Sequence, residues 1–156
     1  MNTSNNPDDL AIPLPRSLRI LCAEDNTHVR DSLACLFTAS KLNVVFAHDG
    51  QHALDLLAAQ PDAFDLIITD HEMPRLGGLA FVRCLRERSF PGHIIVFSSS
   101  LHPNDRQAYH ALHVRDLVSK PDHSHDLLKL IEQLNYKLRH PSPDSSSTSP
   151  PSPSNA

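Results

Sequence analysis

The sequence predicts an α/β fold: a doubly wound, five-stranded parallel sheet with helices on both faces. Three observations lead there. Five short apolar runs alternate with five segments of helical periodicity between residues 18 and 139, the pattern of parallel strands joined by right-handed crossover helices. The run Phe64-Asp65-Leu66-Ile67-Ile68-Thr69 is nearly continuous in apolar residues, as in a strand covered on both faces. The runs deliver charged and hydroxyl residues at their carboxyl ends, and in an open parallel sheet that rim is where ligands bind.

The elements follow in order. Residues 1–16 carry Asn, Ser, Pro and Asp with little to bury and are expected to form a flexible leader. Leu18 to Ala23 is the first strand and delivers Glu24-Asp25-Asn26. Asn26 or Thr27 can cap the next helix, where Val29, Leu33, Leu36 and Phe37 make one apolar face. Asn43 to Ala47 is the second strand, closed by Asp49-Gly50. Ala53, Leu54, Leu57 and Ala58 give the second amphipathic helix, which stops before Pro61. Phe64 to Thr69 is the third strand, ending in Asp70. Gly78 opens the third helix, with Leu79, Val82 and Leu85 inward and Arg83, Arg86, Glu87 and Arg88 toward water. After a Pro91-Gly92 turn, His93 to Phe97 is the fourth strand and leads into Ser98-Ser99-Ser100. Pro103 suits the first turn of a fourth helix reaching about Leu112. Val114 to Val118 is a weaker fifth strand, followed at once by Lys120-Pro121. Residues 122–139 form the last helix on Leu127, Leu130, Ile131, Leu134 and Leu138. From residue 140 a Ser- and Pro-rich stretch reads as a disordered tail, so one folded domain over residues 17–139 is expected.

Composition bounds the function. A net charge of −4 and a pI near 6.2 argue against nucleic acid as a direct partner. No apolar run is long enough to cross a bilayer, and no signal-peptide core stands at the N-terminus. Cys22, Cys35 and Cys84 are scattered in apolar surroundings and read as small buried hydrophobes of a reducing cytoplasm. Of eleven histidines, the tightest pairs are His123-x-His125 and His110-x-x-His113, and neither has zinc-ligand spacing.

Glu24, Asp25, Asp70, Ser98 and Lys120 then fall at the carboxyl rim of one sheet. Three converging carboxylates repel one another and call for a cation. A hard divalent ion such as Mg2+ answers this, held by one or two carboxylates and leaving a position for a phosphoryl oxygen. Lys120 adds a fixed positive charge and Ser98 a hydroxyl, with Asp70 between them as a candidate nucleophile that could take a phosphoryl group as an acyl phosphate.

Over residues 17–139 the chain resembles a stand-alone response-regulator receiver domain of two-component signalling. The resemblance rests on Ile20-Leu21-Cys22-Ala23-Glu24-Asp25-Asn26, Asp70-His71-Glu72-Met73-Pro74 with Gly78, Ile94-Ile95-Val96-Phe97-Ser98-Ser99, and Val118-Ser119-Lys120-Pro121. It implies a flavodoxin-like strand order of 2-1-3-4-5. It implies that Asp70 accepts phosphate from a histidine kinase or phosphotransfer protein. Glu24, Asp25, Asp70 and the backbone carbonyl of Glu72 would hold Mg2+, Ser98 would be the switch hydroxyl and Lys120 would pair with the phosphoryl group. The Lys120-Pro121 bond would be cis. Output would pass through the fourth helix, fifth strand and fifth helix to an unknown protein target, with no DNA-binding output domain expected and no catalytic turnover.

Three positions depart from the family pattern. Leu117 stands where an aromatic residue is usual, which puts the linked aromatic rotamer switch in question; Gly77 replaces a common Asp; and Ser98 replaces the commoner Thr. A small aspartate-nucleophile phosphatase would place its nucleophile after the first strand and carry a cap segment. A flavodoxin-type FMN binder would need a hydroxyl- and Gly-rich loop where Asp25-Asn26-Thr27 is acidic. A receiver-like module that binds partners without phosphorylation would have no use for all five rim groups.

Overall fold

The computed structural model describes residues 17–120 and 124–141. Five strands, β1 (Arg19–Ala23), β2 (Asn43–Ala47), β3 (Leu66–Thr69), β4 (His93–Ser98) and β5 (Asp116–Ser119), alternate with five helices. These are α1 (Thr27–Ala39), α2 (Gly50–Ala59), α3 (Gly78–Glu87), α4 (Pro103–Ala111) and α5 (Ser124–Arg139). All strand pairs are parallel, in the order β2-β1-β3-β4-β5, as expected.

The period of two along each strand sorts the core into two layers. Leu21, Ala23, Ile67, Ile94 and Val96 pack against α2, α3 and α4 through Leu54, Leu57, Phe81, Val82, Leu85 and Tyr109. Ile20, Cys22, Leu66, Ile68, Ile95 and Phe97 face the other way, against Leu33 and Phe37 of α1 and Leu127 and Ile131 of α5. The central strand β3 is buried at every position, while β2 at the sheet edge leaves Val45 exposed.

Asn26 is the cap of α1; its side chain accepts from the His28 and Val29 N–H groups. None of the chain's four glycines, Gly50, Gly77, Gly78 and Gly92, stands just past a helix. Lys41, Ser89 and His113 take left-handed φ of 55°, 55° and 60° just past α1, α3 and α4. At each, two crossing amide bonds satisfy the last carbonyls: Leu42 to Phe37 and Lys41 to Thr38, Phe90 to Leu85 and Ser89 to Arg86, Val114 to Tyr109 and His113 to His110. This is why Val114, expected to begin the fifth strand, instead closes α4 as a buried apolar plug, and β5 starts at Asp116.

Other expectations are corrected at the surface. Ala58 and Leu138 are exposed, because the apolar faces of α2 and α5 turn away from the core before their ends. Arg86 does not simply face water: its guanidinium donates to the Leu112 carbonyl at 2.8 Å and the His113 carbonyl at 3.3 Å, capping α4. Only Cys22 is buried; Cys84 is half-buried and Cys35 exposed. The expected leader, the tail from residue 142, His123 and the Lys120-Pro121 bond lie outside the described residues. Among the described residues, no helix is long and apolar enough to cross a membrane.

Candidate functional site

Strand register builds the site. Ala23 pairs with Thr69, so Glu24 and Asp70 leave neighbouring strands at the same level. The reversal of strand order falls between β1 and β3, where open α/β sheets bind ligands. On the far side, Ser98 pairs with Ser119, and the Lys120 N–H donates to the Ser98 carbonyl at 3.0 Å. Lys120 is thereby aimed back across β4 toward the same rim.

Glu24, Asp25 and Asp70 present carboxylate oxygens that all lie within 4.8 Å of one another. Glu24 is buried and Asp25 exposed, so the cluster opens to solvent on one side. The Lys120 ammonium bonds Glu24 Oε2 and, at 2.8 Å, Asp70 Oδ2. It also lies over the Phe97 ring, 5.5 Å from its centre. Burial pulls the Lys120 ammonium down, but its bonds to Asp70 and Glu24 outweigh that and hold its pKa above the ordinary lysine value. Burial pushes the Glu24 carboxyl up, against the lowering pull of Lys120 and of the Asn26 N–H. One ammonium for three carboxylates leaves net negative charge on hard oxygen donors, a set suited to a divalent cation.

The loop carrying the acidic pair is fixed by a residue the sequence reading passed over. Arg30 of α1 donates to the Glu24 and Asp25 carbonyls at 2.7 and 2.8 Å and to Thr27 Oγ1 at 3.0 Å. Ser98 is buried, and its hydroxyl donates to the Ser100 carbonyl at 3.2 Å rather than to the acidic cluster. Glu72 is exposed on the loop after β3.

That loop is clipped at two points. Asp70 Oδ1 accepts the His71 N–H at 2.6 Å. Further along, Arg75 holds a left-handed φ of 62° and donates to Asp49 at 2.7 and 2.9 Å. Asp49 also caps α2 through the His52 N–H at 2.8 Å and meets His48 Nδ1 at 3.1 Å. Burial works to raise the Asp49 carboxyl, yet the Arg75, His52 and His48 hydrogen bonds bring it from 3.8 down to about 2. A carboxyl depressed in the folded state stabilises the fold above its unfolded value and loses that contribution as pH falls through the folded one. Urea denaturation should therefore show stability draining away between 3.8 and about 2, and Arg75→Ala should flatten that part of the profile.

Gly78, at the start of α3, sits where no side chain fits. A Cβ there would lie 2.1 Å from the Asp70 carbonyl oxygen and 2.9 Å from the Tyr109 hydroxyl. Backbone cannot yield as a side chain can, so Gly78→Ala should cost about 2–3 kcal/mol in chemical denaturation.

The cluster thus gathers Glu24, Asp25, Asp70 and Lys120, and leaves the Ser98 hydroxyl and the Glu72 side chain outside it. Sequence reasoning missed Arg30, Asp49, Arg75, His71 and Tyr109. Asp49-Gly50 was legible as a turn; nothing marked its distant partner.

Comparison with known proteins agrees with this fold. The model of the response regulator receiver domain family matches residues 20–132. The response regulator MprA of Mycobacterium bovis is 33% identical over 133 residues, covering 85% of this chain and 56% of the relative. The sensor histidine kinase TmoS of Ectopseudomonas mendocina is 31% identical over 145 residues, 83% of this chain and 14% of the relative. The chain thus spans little more than half of one relative and a small part of the other. Among solved structures, the chemotaxis protein CheY4 of Vibrio cholerae superposes with a TM-score of 0.67 at 27% identity, covering 76% of this chain and 98% of that one. A response regulator receiver protein from Pseudomonas putida gives 0.68 at 27% identity, with the same coverage of both chains.

Proposed function

The chain belongs to the response regulator receiver domain family, and on that premise we propose that residues 17–139 are a phosphoacceptor module with Asp70 as the acceptor. The observation that carries the reading is the bond from Lys120 to Asp70 Oδ2 at 2.8 Å inside a three-carboxylate cluster. An Asp70 oxygen attacks phosphorus, the O–P bond of an acyl phosphate forms, and the donor's P–N bond breaks with its electron pair returning to the imidazole. The donor is a phosphohistidine of a histidine kinase or phosphotransfer protein. Lys120 neutralises charge gathered on the phosphoryl oxygens.

Mg2+ fits the donor set, since three carboxylates outnumber the one ammonium among them. Glu24, Asp25, Asp70 and the Glu72 carbonyl would hold it. When bound, it supplies neutralisation of the incoming phosphoryl oxygens. Arg30 keeps the acidic loop in place for that role.

Phosphorylation adds close to two negative charges at Asp70. The Ser98 hydroxyl gives up the Ser100 carbonyl and turns inward, and the loop leading to α4 follows. The face of α4, β5 and α5 is the output surface, read by a protein target, and the module works in the cytoplasm without catalytic turnover.

Acetyl phosphate with magnesium chloride, followed by intact mass, tests this. One phosphoryl group should be gained, and EDTA should prevent the gain. A chain that stays unmodified under those conditions would overturn the proposal.

A further inference from the structure

We propose that His71 is a positioning residue that carries the change at Asp70 into α4, through Tyr109 and Asp105, in place of an aromatic residue on β5. This rests on the reading of Asp70 as the phosphoacceptor. Leu117 occupies the β5 position and has no hydroxyl or ring to report a moving Ser98. Tyr109 supplies both from a different element. It is fully buried on α4, with its hydroxyl 2.9 Å from His71 Nδ1 and its ring meeting the imidazole edge-on at 5.7 Å. The imidazole's other nitrogen, Nε2, lies 3.6 Å from Asp105 Oδ2. Asp105 and Tyr109 are four residues apart and so share one face of α4. Asp105 also accepts the His102 N–H at 3.2 Å, where the helix begins. One residue thus touches α4 at its first turn, through Asp105, and at its buried last turn, through Tyr109.

The same residue is tied to the phosphoacceptor by its backbone. Its N–H donates to Asp70 Oδ1 at 2.6 Å, a bond strengthened by the carboxylate's charge. Acyl phosphate formation takes the formal charge off both Asp70 oxygens and places it on the phosphoryl group. The His71 amide loses its charged acceptor and reorients, and the imidazole moves with its peptide. Tyr109 has little room to move on its own: it is fully buried, and its hydroxyl lies beside Gly78, where an added Cβ would stand 2.9 Å from it. Displacement at His71 therefore becomes displacement of the helix.

The test uses the full chain labelled with nitrogen-15, treated with acetyl phosphate and magnesium chloride. Uptake is followed by intact mass and amide shifts by NMR. In the wild type, amides of both the loop 72–77 and α4 should move. In Tyr109→Phe, which keeps the ring and removes the hydroxyl, uptake and the loop shifts should persist. The α4 shifts should shrink roughly fivefold, the change one net hydrogen bond makes in a two-state equilibrium. His71→Leu should do the same, and the double variant should add nothing, because the two residues form one link. Full α4 shifts in Tyr109→Phe, or additive losses in the double variant, would overturn the relay alone. A wild type that gains no phosphoryl group would overturn the functional reading and the relay with it.

Discussion

Asp70→Asn should abolish phosphoryl uptake from acetyl phosphate while leaving a folded protein. An amide nitrogen has no lone pair free to attack phosphorus, and the amide oxygen is a poor nucleophile, so no acyl phosphate forms. The replacement is nearly isosteric. Its oxygen can still accept the His71 N–H that Asp70 Oδ1 takes at 2.6 Å. The amide group would then face Lys120 as a donor facing a donor, so Lys120 keeps Glu24 as its partner. One charge fewer among the carboxylates offsets part of that loss, since Asp70 is among the groups raising the Glu24 pKa. Intact mass is the readout. Asp25→Asn is the informative comparison: Asp25 is exposed and outside the Lys120 bonds, so it should slow uptake through weaker magnesium binding without abolishing it. Uptake by Asp70→Asn equal to that of the wild type would move the acceptor to another carboxylate.

The rim of this fold was legible because each of its acidic and basic groups stands directly after an apolar run. Leu66 to Thr69 is buried at every residue, and the side chain that follows it must emerge at the sheet's edge. Glu24 and Lys120 are readable in the same way. What was not legible pairs residues far apart with no period to betray them. Arg75 finds Asp49 across 26 positions, and His71 finds Tyr109 across 38. Tyr109 lies in a helix whose neighbours are mostly polar, so its burial left no stripe to read. The direction of the Ser98 hydroxyl also escaped, because a serine at a strand end suits a local carbonyl as well as a ligand. Helix ends were blurred for a different reason. With Lys41, Ser89 and His113 in place of glycine, the usual stop signal was missing, and Val114 looked like a strand residue instead of a helix plug.

Lys120→Met should be the most destabilising substitution at the rim, and magnesium should reverse part of it. The Lys120 and Glu24 side chains are 7% and 2% exposed, and that of Asp70 is 11% exposed. Methionine matches the lysine stem in length and can keep its packing over Phe97. The charge is what goes, and it leaves two nearly buried carboxylates facing each other with Asp25 close by. Removing one partner from a buried ion pair costs about 3–5 kcal/mol, chiefly as the penalty for the charge left behind. The wild type meets that penalty with the ammonium; the variant can meet it with a divalent cation held by the same oxygens. A ligand that binds the folded state alone stabilises it by mass action. Urea denaturation with and without magnesium chloride should therefore show a larger magnesium-dependent gain in Lys120→Met than in the wild type. A variant as stable as the wild type without magnesium, or one indifferent to the ion, would mean that Lys120 does not balance this cluster. Phosphoryl uptake in the rescued variant should persist at a reduced rate, because the proposed acceptor, Asp70, is retained. The α4 amides of the modified variant should still respond, because the link from Asp70 Oδ1 through His71 to Tyr109 does not pass through Lys120.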